Sequence, residues 1–237
     1  MQLPRPVGRE AASRKYDLLS ILMAHALAGD KHLQRQVLRL MALVGAGWWL
    51  LALLWLRFFH FASDHETWAR VFKLAAGTLA VVPAWCALGL IHSSQPNGHI
   101  WLFVALAIVW AADSGAYFAG RHFGGRWFAG RKLAPRISPN KTLEGLLGGL
   151  AAGMLVAAAG ALLAGAGMAQ LPGVLVVAIF TVLFSVVGDL FESLLKRHVG
   201  AKDSGDVIPG HGGVLDRIDG VLAALPIFVL GKEVFGF

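Results

Sequence analysis

The chain has 237 residues, of which 57% are hydrophobic and only 15% are charged. Soluble domains usually carry about 25% charged residues, so this composition excludes a disordered chain and disfavours an ordinary soluble enzyme. The single cysteine, Cys86, excludes an intrachain disulfide and a cysteine-based zinc site. The formal net charge is +7, but no basic helix or aromatic–basic motif indicates nucleic-acid binding. In a membrane protein, such an excess is typical of cytoplasmic loops and of contacts with phosphate or anionic lipid.

The N-terminal segment, residues 1–36, is polar and differs from everything that follows. We expect it to lie at the membrane interface, with residues 37–237 forming the membrane domain. Residues 16–29 are too short to span a bilayer, but they suit an amphipathic helix that lies in the interface.

Six apolar runs follow, and each approaches the roughly 20 residues that a helix needs to cross a hydrocarbon core of about 30 Å. Because the runs lack strand alternation, the pattern predicts an all-α protein, a polytopic membrane helical bundle with about six transmembrane helices. Gly145, Gly149 and Gly153 recur at every fourth position, which predicts that a neighbouring helix approaches closely there. The runs cover residues 38–59, 71–92, 100–120, 144–168, 173–195 and 214–236.

Charge placement predicts the orientation of the bundle. The loops at 121–142 and 196–213 are rich in Lys and Arg, whereas the connections at 93–99 and 169–172 have none. The positive-inside rule places both basic loops in the cytoplasm, and the two spans between them agree with this. Counting back three spans puts residues 1–36 outside, although their six basic residues favour the inside. The sequence therefore leaves two alternatives for the side of the membrane on which the N-terminal segment lies.

Charged residues at the end of the fifth run form the first chemical pattern. Asp189, Glu192, Ser193, Lys196 and Arg197 follow i, i+3, i+4, i+7, i+8 spacing, which places them on one helical face. An ionised group inside a bilayer costs at least about 2.5–3.5 kcal/mol, so these groups need partners, a cation or a water-filled cavity. An internal ion pair between Glu192 and Lys196 is the simpler explanation for those two. The face as a whole predicts a polar wall of an active site.

A glycine-rich loop at 202–213 leads into the last apolar run. Its glycines allow the backbone to approach a phosphate closely, and the amides of a turn can bind anions. Asp216 and Asp219 are three residues apart, so one helical face directs both carboxylates to the same place, opposite Asp189. Such oxygen ligands suit magnesium, whereas a capped turn at a helix N-terminus would explain either aspartate alone. His211 fits a hydrogen-bonding loop residue better than a general acid or base.

The loop after the third run carries a second pattern. Asp113 lies near the end of that run, and Ser138-Pro139-x-Lys141-Thr142-x-Glu144 opens the next helix. Positive-inside anchoring explains the surplus of Lys and Arg here but not the aspartate. Thr142 near a helix start predicts an anion-binding N-terminus, and Lys141 adds a point charge for phosphate. Together the patterns predict a cytoplasm-facing pocket for phosphoryl or nucleotidyl transfer onto a lipid phosphate.

With these motifs the chain resembles the phosphatidate cytidylyltransferases, also called CDP-diacylglycerol synthases. The resemblance covers roughly residues 70–237, and residues 110–149 are similar to a second characteristic region of that family. Family members commonly have further apolar spans ahead of this part, where residues 1–36 are polar. The specific signature reads Ser193-x2-Lys196-Arg197-x4-Lys202-Asp203-x-Gly205-x3-Pro209-Gly210-His211-Gly212-Gly213-x2-Asp216-Arg217-x-Asp219.

The resemblance implies that CTP reacts with phosphatidate to give CDP-diacylglycerol and pyrophosphate, for phospholipid synthesis in a bacterial inner membrane. It implies magnesium, as one cation or two, held by Asp189 and Asp216 with Asp219 beside them. The expected partners are CTP, phosphatidate and membrane lipid, with no nucleic acid and with a homodimer left open. The expected catalytic residues are Asp189, Asp216, Lys202 and His211. The expected substrate-binding residues are Ser138, Lys141, Thr142, Arg121, Lys196, Arg197, Gly212, Gly213 and Arg217.

Three other functions compete with this one. A CTP-dependent lipid kinase would use the same nucleotide but would release CDP rather than pyrophosphate. A transporter or channel would line an ion path with intramembrane acids, but the polar groups here concentrate at one membrane face. An inactive, shortened relative would retain only the fold.

Overall fold

The computed structural model describes residues 31–63, 66–128, 131–205 and 212–237. Most of the predicted N-terminal segment, including the interfacial helix expected at 16–29, lies outside the described residues, and so does His211. The first described helix begins at Lys31, several residues before the polar segment was expected to end.

Six α-helices and one β-hairpin make up the described part of the chain. Strand β1 pairs with β2 in antiparallel fashion, with Lys132 opposite Thr142 and Ala134 opposite Ser138. A 3-10 turn at Met168–Gln170 leads into the fifth helix. The elements are α1 (Lys31–Arg57), α2 (Thr67–His92), α3 (Gly98–Phe123), β1 (Lys132–Ala134), β2 (Ser138–Thr142), α4 (Leu143–Leu163), α5 (Leu171–His198) and α6 (Leu215–Phe235).

The helices confirm the prediction of an all-α membrane bundle. Five of those in the described ranges, α1 to α5, are long and apolar enough to cross a bilayer. Helix α6 covers the sixth predicted run but is not one of these five, because charged residues occupy both of its ends. The chain is therefore an integral membrane protein in which α6 combines an apolar middle with polar ends.

Glycines on α4 let the neighbouring helices approach its backbone, as their spacing predicts. A Cβ added at Gly149 would lie 2.9 Å from the carbonyl oxygen of Ala112 on α3. One added at Gly153 would lie 2.5 Å from Cγ2 of Val182 on α5. These contacts place α4 directly against α3 and α5, and so bring the loop after α3 next to the polar end of α5.

Aromatic packing fixes α5 against α1. The ring of Phe191 meets Trp48, Trp49 and Trp55 edge-on, at centroid separations of 5.8, 5.7 and 5.2 Å. Such edge-to-face contacts are favourable beyond the area that they bury. The indole N–H of Trp49 also donates to the carbonyl of Leu222 on α6, at 3.2 Å. Helix α5 is thus held between α1 and α6, with its last turns directed toward the hairpin.

Two hydrogen bonds gather three chain segments at one end of the bundle. Arg197 Nε donates to the Ile137 carbonyl of the hairpin at 3.3 Å, and His198 Nε2 donates to the Phe59 carbonyl after α1 at 2.6 Å. The end of α5, the hairpin and the end of α1 therefore share one side. This confirms that the two basic loops lie together.

Candidate active site

A polar cavity of about 330 Å³ lies between α3, α5 and α6, near the hairpin end of the bundle. Five of its eight lining residues are acidic, so we call it the acidic pocket. It brings together all three aspartates that the sequence assigned to a cation. The lining residues are Asp113, Asp189, Glu192, Asp216, Asp219, Trp110, Lys196 and Arg217.

Close contact between α5 and α6 places Asp189 beside Asp219. A Cβ added at Gly188 would lie only 2.3 Å from the carbonyl oxygen of Asp219, so the two backbones meet at that point. Asp189, Glu192 and Lys196 follow on one face of α5, as their spacing predicts. The crossing of two helices therefore sets the separation of these carboxylates.

Arg197 does not share that face, which corrects the prediction for this residue. It lies eight positions after Asp189, and eight residues rotate a side chain about 80° around an α-helix. Arg197 instead contacts the hairpin through Ile137, and it is not among the residues that line the acidic pocket.

Lys196 connects two acids across the pocket. Its Nζ lies 2.7 Å from Oε2 of Glu192 and 2.6 Å from Oδ1 of Asp216. The predicted intrahelical pair with Glu192 is therefore present, and the second pair joins α5 to α6. Oε1 of Glu192 is buried and has no hydrogen-bond partner within the described ranges. An unpaired buried oxygen of this kind is available to a further ligand.

Asp216 organises the loop that precedes α6. Its Oδ2 accepts hydrogen bonds from Ser204 N at 2.9 Å, Ser204 Oγ at 2.8 Å and Gly213 N at 2.8 Å. Burial raises the pKa of Asp216, but hydrogen bonds from Lys196 and Ser204 outweigh it and hold the pKa below its ordinary value. Asp216 is therefore a charged carboxylate whose oxygen atoms already have protein donors, as the capped-turn alternative predicts.

Two glycines allow the loop to fold onto Asp216. Gly212 has φ of +82°, in the left-handed region that favours glycine. A Cβ at Gly213 would lie 2.2 Å from Ser204 Oγ and 2.8 Å from the backbone nitrogen of Gly205. The structure thus explains both glycines by the packing of the loop itself, and their contact with phosphate stays a prediction.

A second cavity, of about 580 Å³, adjoins the first and shares Asp113 and Asp189 with it. It lies between α3, strand β2 and the start of α4. We call it the basic pocket, because its polar lining includes Arg121 and Lys141. The structure brings four predicted substrate-binding residues together here, namely Arg121, Ser138, Lys141 and Thr142.

Lys141 stands at the boundary between the two cavities, where it forms an ion pair with Asp189. Thr142 is the N-cap of α4, and its Oγ1 accepts a hydrogen bond from Gly145 N at 3.0 Å, which confirms the predicted helix start. Arg121 donates to the Tyr117 hydroxyl at 2.9 Å. Cationic groups and a helix N-terminus therefore converge on one cavity, as an anion-binding site requires.

Glu144, in the first turn of α4, holds the loop at 124–128. Its Oε1 accepts from the backbone N–H groups of Gly125, Trp127 and Phe128 at 3.0, 3.3 and 3.2 Å. The residue is only 1% exposed. It is the central anchor of the loop that follows Arg121, a role that its helix-start motif does not reveal.

The donor chemistry of the acidic pocket fits a hard cation. Carboxylates of Asp189, Glu192 and Asp219 border one cavity, and oxygen ligands are those that Mg²⁺ prefers. Among the described residues, however, no three His, Cys, Asp or Glu side chains are close enough to hold a metal as they stand. The ammonium groups of Lys141 and Lys196 pair with acids there, so a cation would take over part of their contacts.

Asp113 and Glu192 line the pocket, although the sequence assigned neither of them a catalytic, substrate-binding or metal-binding role. Each is an acid within a long apolar run, which is itself a signal of function. Conversely, Lys202 is exposed and lines neither pocket. His211, the remaining expected catalytic residue, lies outside the described residues.

Comparison with known proteins places these features in a family. A sequence model described as the cytidylyltransferase family matches residues 9–235. A phosphatidate cytidylyltransferase of Brucella suis is 44% identical over 164 residues, which cover 68% of this chain and 57% of the relative. That of Haemophilus influenzae is 38% identical over 81% of this chain and 68% of its own length. That of Pseudomonas aeruginosa is 40% identical over 93% of this chain and 76% of its own length.

Proposed function

The chain belongs to the cytidylyltransferase family, and on this basis we propose that it transfers a cytidylyl group from CTP to phosphatidate. The products would be CDP-diacylglycerol and pyrophosphate. The observation that carries the proposal is the pair of adjoining pockets, one acidic and one basic, that share Asp113 and Asp189. The chain spans 57% to 76% of the lengths of the relatives named above, all of them phosphatidate cytidylyltransferases.

The reaction needs two phosphate groups held in line. An oxygen of the phosphatidate phosphate attacks the α-phosphorus of CTP and forms a new O–P bond. The bond from that phosphorus to the bridging oxygen breaks, and pyrophosphate leaves with the electron pair. A phosphate monoester has a second pKa of about 6, so it is already a nucleophile near neutral pH and needs no strong general base. The protein therefore acts mainly by positioning groups and neutralising charge.

The basic pocket supplies the phosphate contacts in this proposal. Arg121 and Lys141 provide positive charge, and the N-terminus of α4 adds a favourable dipole behind its Thr142 cap. A phosphate that enters the pocket would compete with Asp189 for Lys141, which would free that carboxylate. Lys202 and His211 stay proposed catalytic residues.

The acidic pocket supplies oxygen ligands. Asp189, Asp219 and Glu192 would hold Mg²⁺, and Asp216 would act through the loop that it orders. Magnesium, when bound, neutralises the negative charge of a transferring phosphoryl group. Lys196 keeps Glu192 and Asp216 in place on adjacent helices, so it orients the pocket as well as balancing its charge.

The proposed location is a bacterial inner membrane, with both pockets facing the cytoplasm. CTP does not cross a bilayer unaided, so its pocket must face the compartment that contains it. The end of the bundle that holds both pockets also carries the loops rich in Lys and Arg, which favour the cytoplasmic side.

The test is direct. The purified chain in mixed micelles with CTP, Mg²⁺ and phosphatidate should release pyrophosphate and form CDP-diacylglycerol in equal amounts. With a lipid alcohol in place of phosphatidate, release of CDP and formation of a phosphorylated alcohol would instead identify a CTP-dependent kinase. Asp189→Asn serves as the inactive control, and Glu233→Gln, which changes an acid paired with Arg39, serves as the active one. No pyrophosphate from a folded preparation would contradict the proposal for this chain.

A further inference from the structure

A third cavity, of about 570 Å³, lies on the other side of the hairpin from the basic pocket. Its apolar walls come from Leu53 and Leu56 of α1, Phe59 of the turn that follows, and Leu190 of α5. Two guanidinium groups border it, Arg57 at the end of α1 and Arg136 at the tip of the hairpin. We call this cavity the arginine groove.

Among the residues that the structure describes, no acid compensates the charge of the groove. No described acidic residue lines it, and neither Arg57 nor Arg136 forms an ion pair with any described residue. Both residues are exposed. A planar guanidinium matches the geometry of a phosphate and can donate two parallel hydrogen bonds to it. Two such groups on one cavity with no acid therefore favour an anionic ligand.

The walls show what kind of anion suits the groove. Leu53 is 49% exposed, its neighbour Leu54 is 59% exposed, and Leu50, one turn earlier in α1, is 58% exposed. These side chains continue from the groove along α1 toward the middle of the bilayer. A free phosphate would leave that apolar surface without a partner, whereas acyl chains would cover it. The combination of an arginine pair with an apolar strip matches a phospholipid.

The groove is separate from the reacting groups but is built on the same elements. Asp189 borders both pockets of the proposed active site, whereas the next residue, Leu190, lines the groove. Leu133 of the hairpin lines both the groove and the basic pocket, so strand β1 forms the partition between them. A ligand in the groove would therefore contact the far side of the wall that carries Lys141.

Both outer walls of the groove are attached to the last turn of α5. Arg197 holds the hairpin through Ile137, and His198 holds the turn after α1 through Phe59. A phosphate bound by Arg57 and Arg136 would add a third link between the same two walls. Occupancy would then restrain the hairpin without any contact with the reacting groups.

We propose that the arginine groove binds an anionic phospholipid as a non-reacting ligand, with its phosphate between Arg57 and Arg136 and its acyl chains along α1. General positive-inside anchoring explains basic residues at this depth, but it predicts no stoichiometric binding and no preference among exposed arginines. The site is distinct from the one proposed for the substrate lipid. It stands without the proposed function, since it is tested in the absence of CTP.

The test counts lipids on the full chain in detergent, where no membrane surface attracts them. Native mass spectrometry with dioleoyl-phosphatidylglycerol should show one bound lipid at concentrations where dioleoyl-phosphatidylcholine shows none. Arg57→Gln combined with Arg136→Gln should weaken that binding about tenfold or more, because two charge-assisted contacts are lost. The matched control is Arg70→Gln, an exposed arginine outside the groove, which should change binding less than about twofold.

Two further measurements distinguish binding of a phospholipid in the groove from binding of a free phosphate and from nonspecific association. Glycerol 3-phosphate, which has the phosphate but no acyl chains, should not displace the lipid. Phosphatidylglycerol should also raise the unfolding temperature of the unmodified chain but not that of the doubly substituted one. Equal binding by the double variant, an equal loss in Arg70→Gln, or displacement by glycerol 3-phosphate would each overturn the proposal.

Discussion

Replacing Glu144 by Gln tests how the structure holds the loop at 124–128. The substitution keeps the shape and one acceptor oxygen but removes the charge that receives three backbone N–H groups. Hydrogen bonds to a charged acceptor contribute about 1.5–3 kcal/mol each, against about 0.5–1.5 kcal/mol for neutral ones. Two of the three bonds are longer than 3.1 Å, so we assign to all three together a loss of about 2 kcal/mol when the charge is removed.

A second effect of the substitution also destabilises the closed loop. Oε2 of Glu144 is buried without a hydrogen-bond partner within the described ranges, and the amide nitrogen of Gln would bring two N–H groups to that place. The negative charge in the first turn of α4 also complements the helix dipole, by about 0.3–1 kcal/mol. The loop should therefore open more easily by about 2–3 kcal/mol, which is about 30-fold or more in its open population.

Limited proteolysis measures this opening. Arg126 lies inside the loop and is exposed, so trypsin should cleave after it at a rate that follows the open population. Glu144→Gln should raise that rate about 30-fold, whereas Glu233→Gln at the far end of α6 should leave it unchanged. Equal cleavage rates, with equal unfolding temperatures in detergent, would refute the anchoring role of Glu144.

Four further predictions concern the site and the orientation of the chain. Asp189→Asn should lower turnover about a hundredfold or more with little change in unfolding temperature, because it removes charge from the pocket. Asp216→Asn should lower turnover by a similar factor and should also lower the free energy of unfolding by about 2–3 kcal/mol, because Lys196 loses a buried partner. Equal unfolding temperatures for the Asp189→Asn and Asp216→Asn variants would contradict this expected loss of stability. Gly213→Ala should destabilise the loop by about 1–3 kcal/mol, measured by thermal unfolding, and a neutral effect would show that the close contact with Ser204 relaxes. In a background without Cys86, a cysteine that replaces Lys132 should react with a membrane-impermeant reagent only after the cells are opened. A cysteine that replaces Ser93 should react in intact cells as well. The reverse pattern would contradict the proposed orientation.

Local pattern predicted the framework of the protein well. Apolar runs predicted six helices, helical spacing predicted the shared face of Asp189, Glu192 and Lys196, and a Thr before an apolar run predicted the cap at Thr142. Each of these features depends on residues within about two helical turns of one another, so periodicity alone is sufficient. Arg197 is the exception, because eight residues of helix place it about 80° around from Asp189, where it contacts the hairpin instead of the pocket.

Pairing between distant segments could not be predicted in the same way. The contact of Lys141 with Asp189 depends on how the hairpin lies over α5, and that of Lys196 with Asp216 depends on the crossing of α5 and α6. Both lysines are equally suited, by sequence, to phosphate or to a carboxylate. Only tertiary packing decides which partner each has in the structure described here.

The contact of α5 and α6 at Gly188 has a consequence for how this protein can be re-engineered. Because backbone meets backbone there, the contact itself sets the distance between α5 and α6, which carry Asp189 and Asp219. The surrounding loops do not set that distance. Exchanging residues 199–205 for another sequence would remove the hydrogen bonds that Ser204 donates to Asp216 and leave the spacing of the two helices unchanged. A single methyl group at Gly188 would do the opposite, since it would separate Asp189 from Asp219 with every loop residue in place.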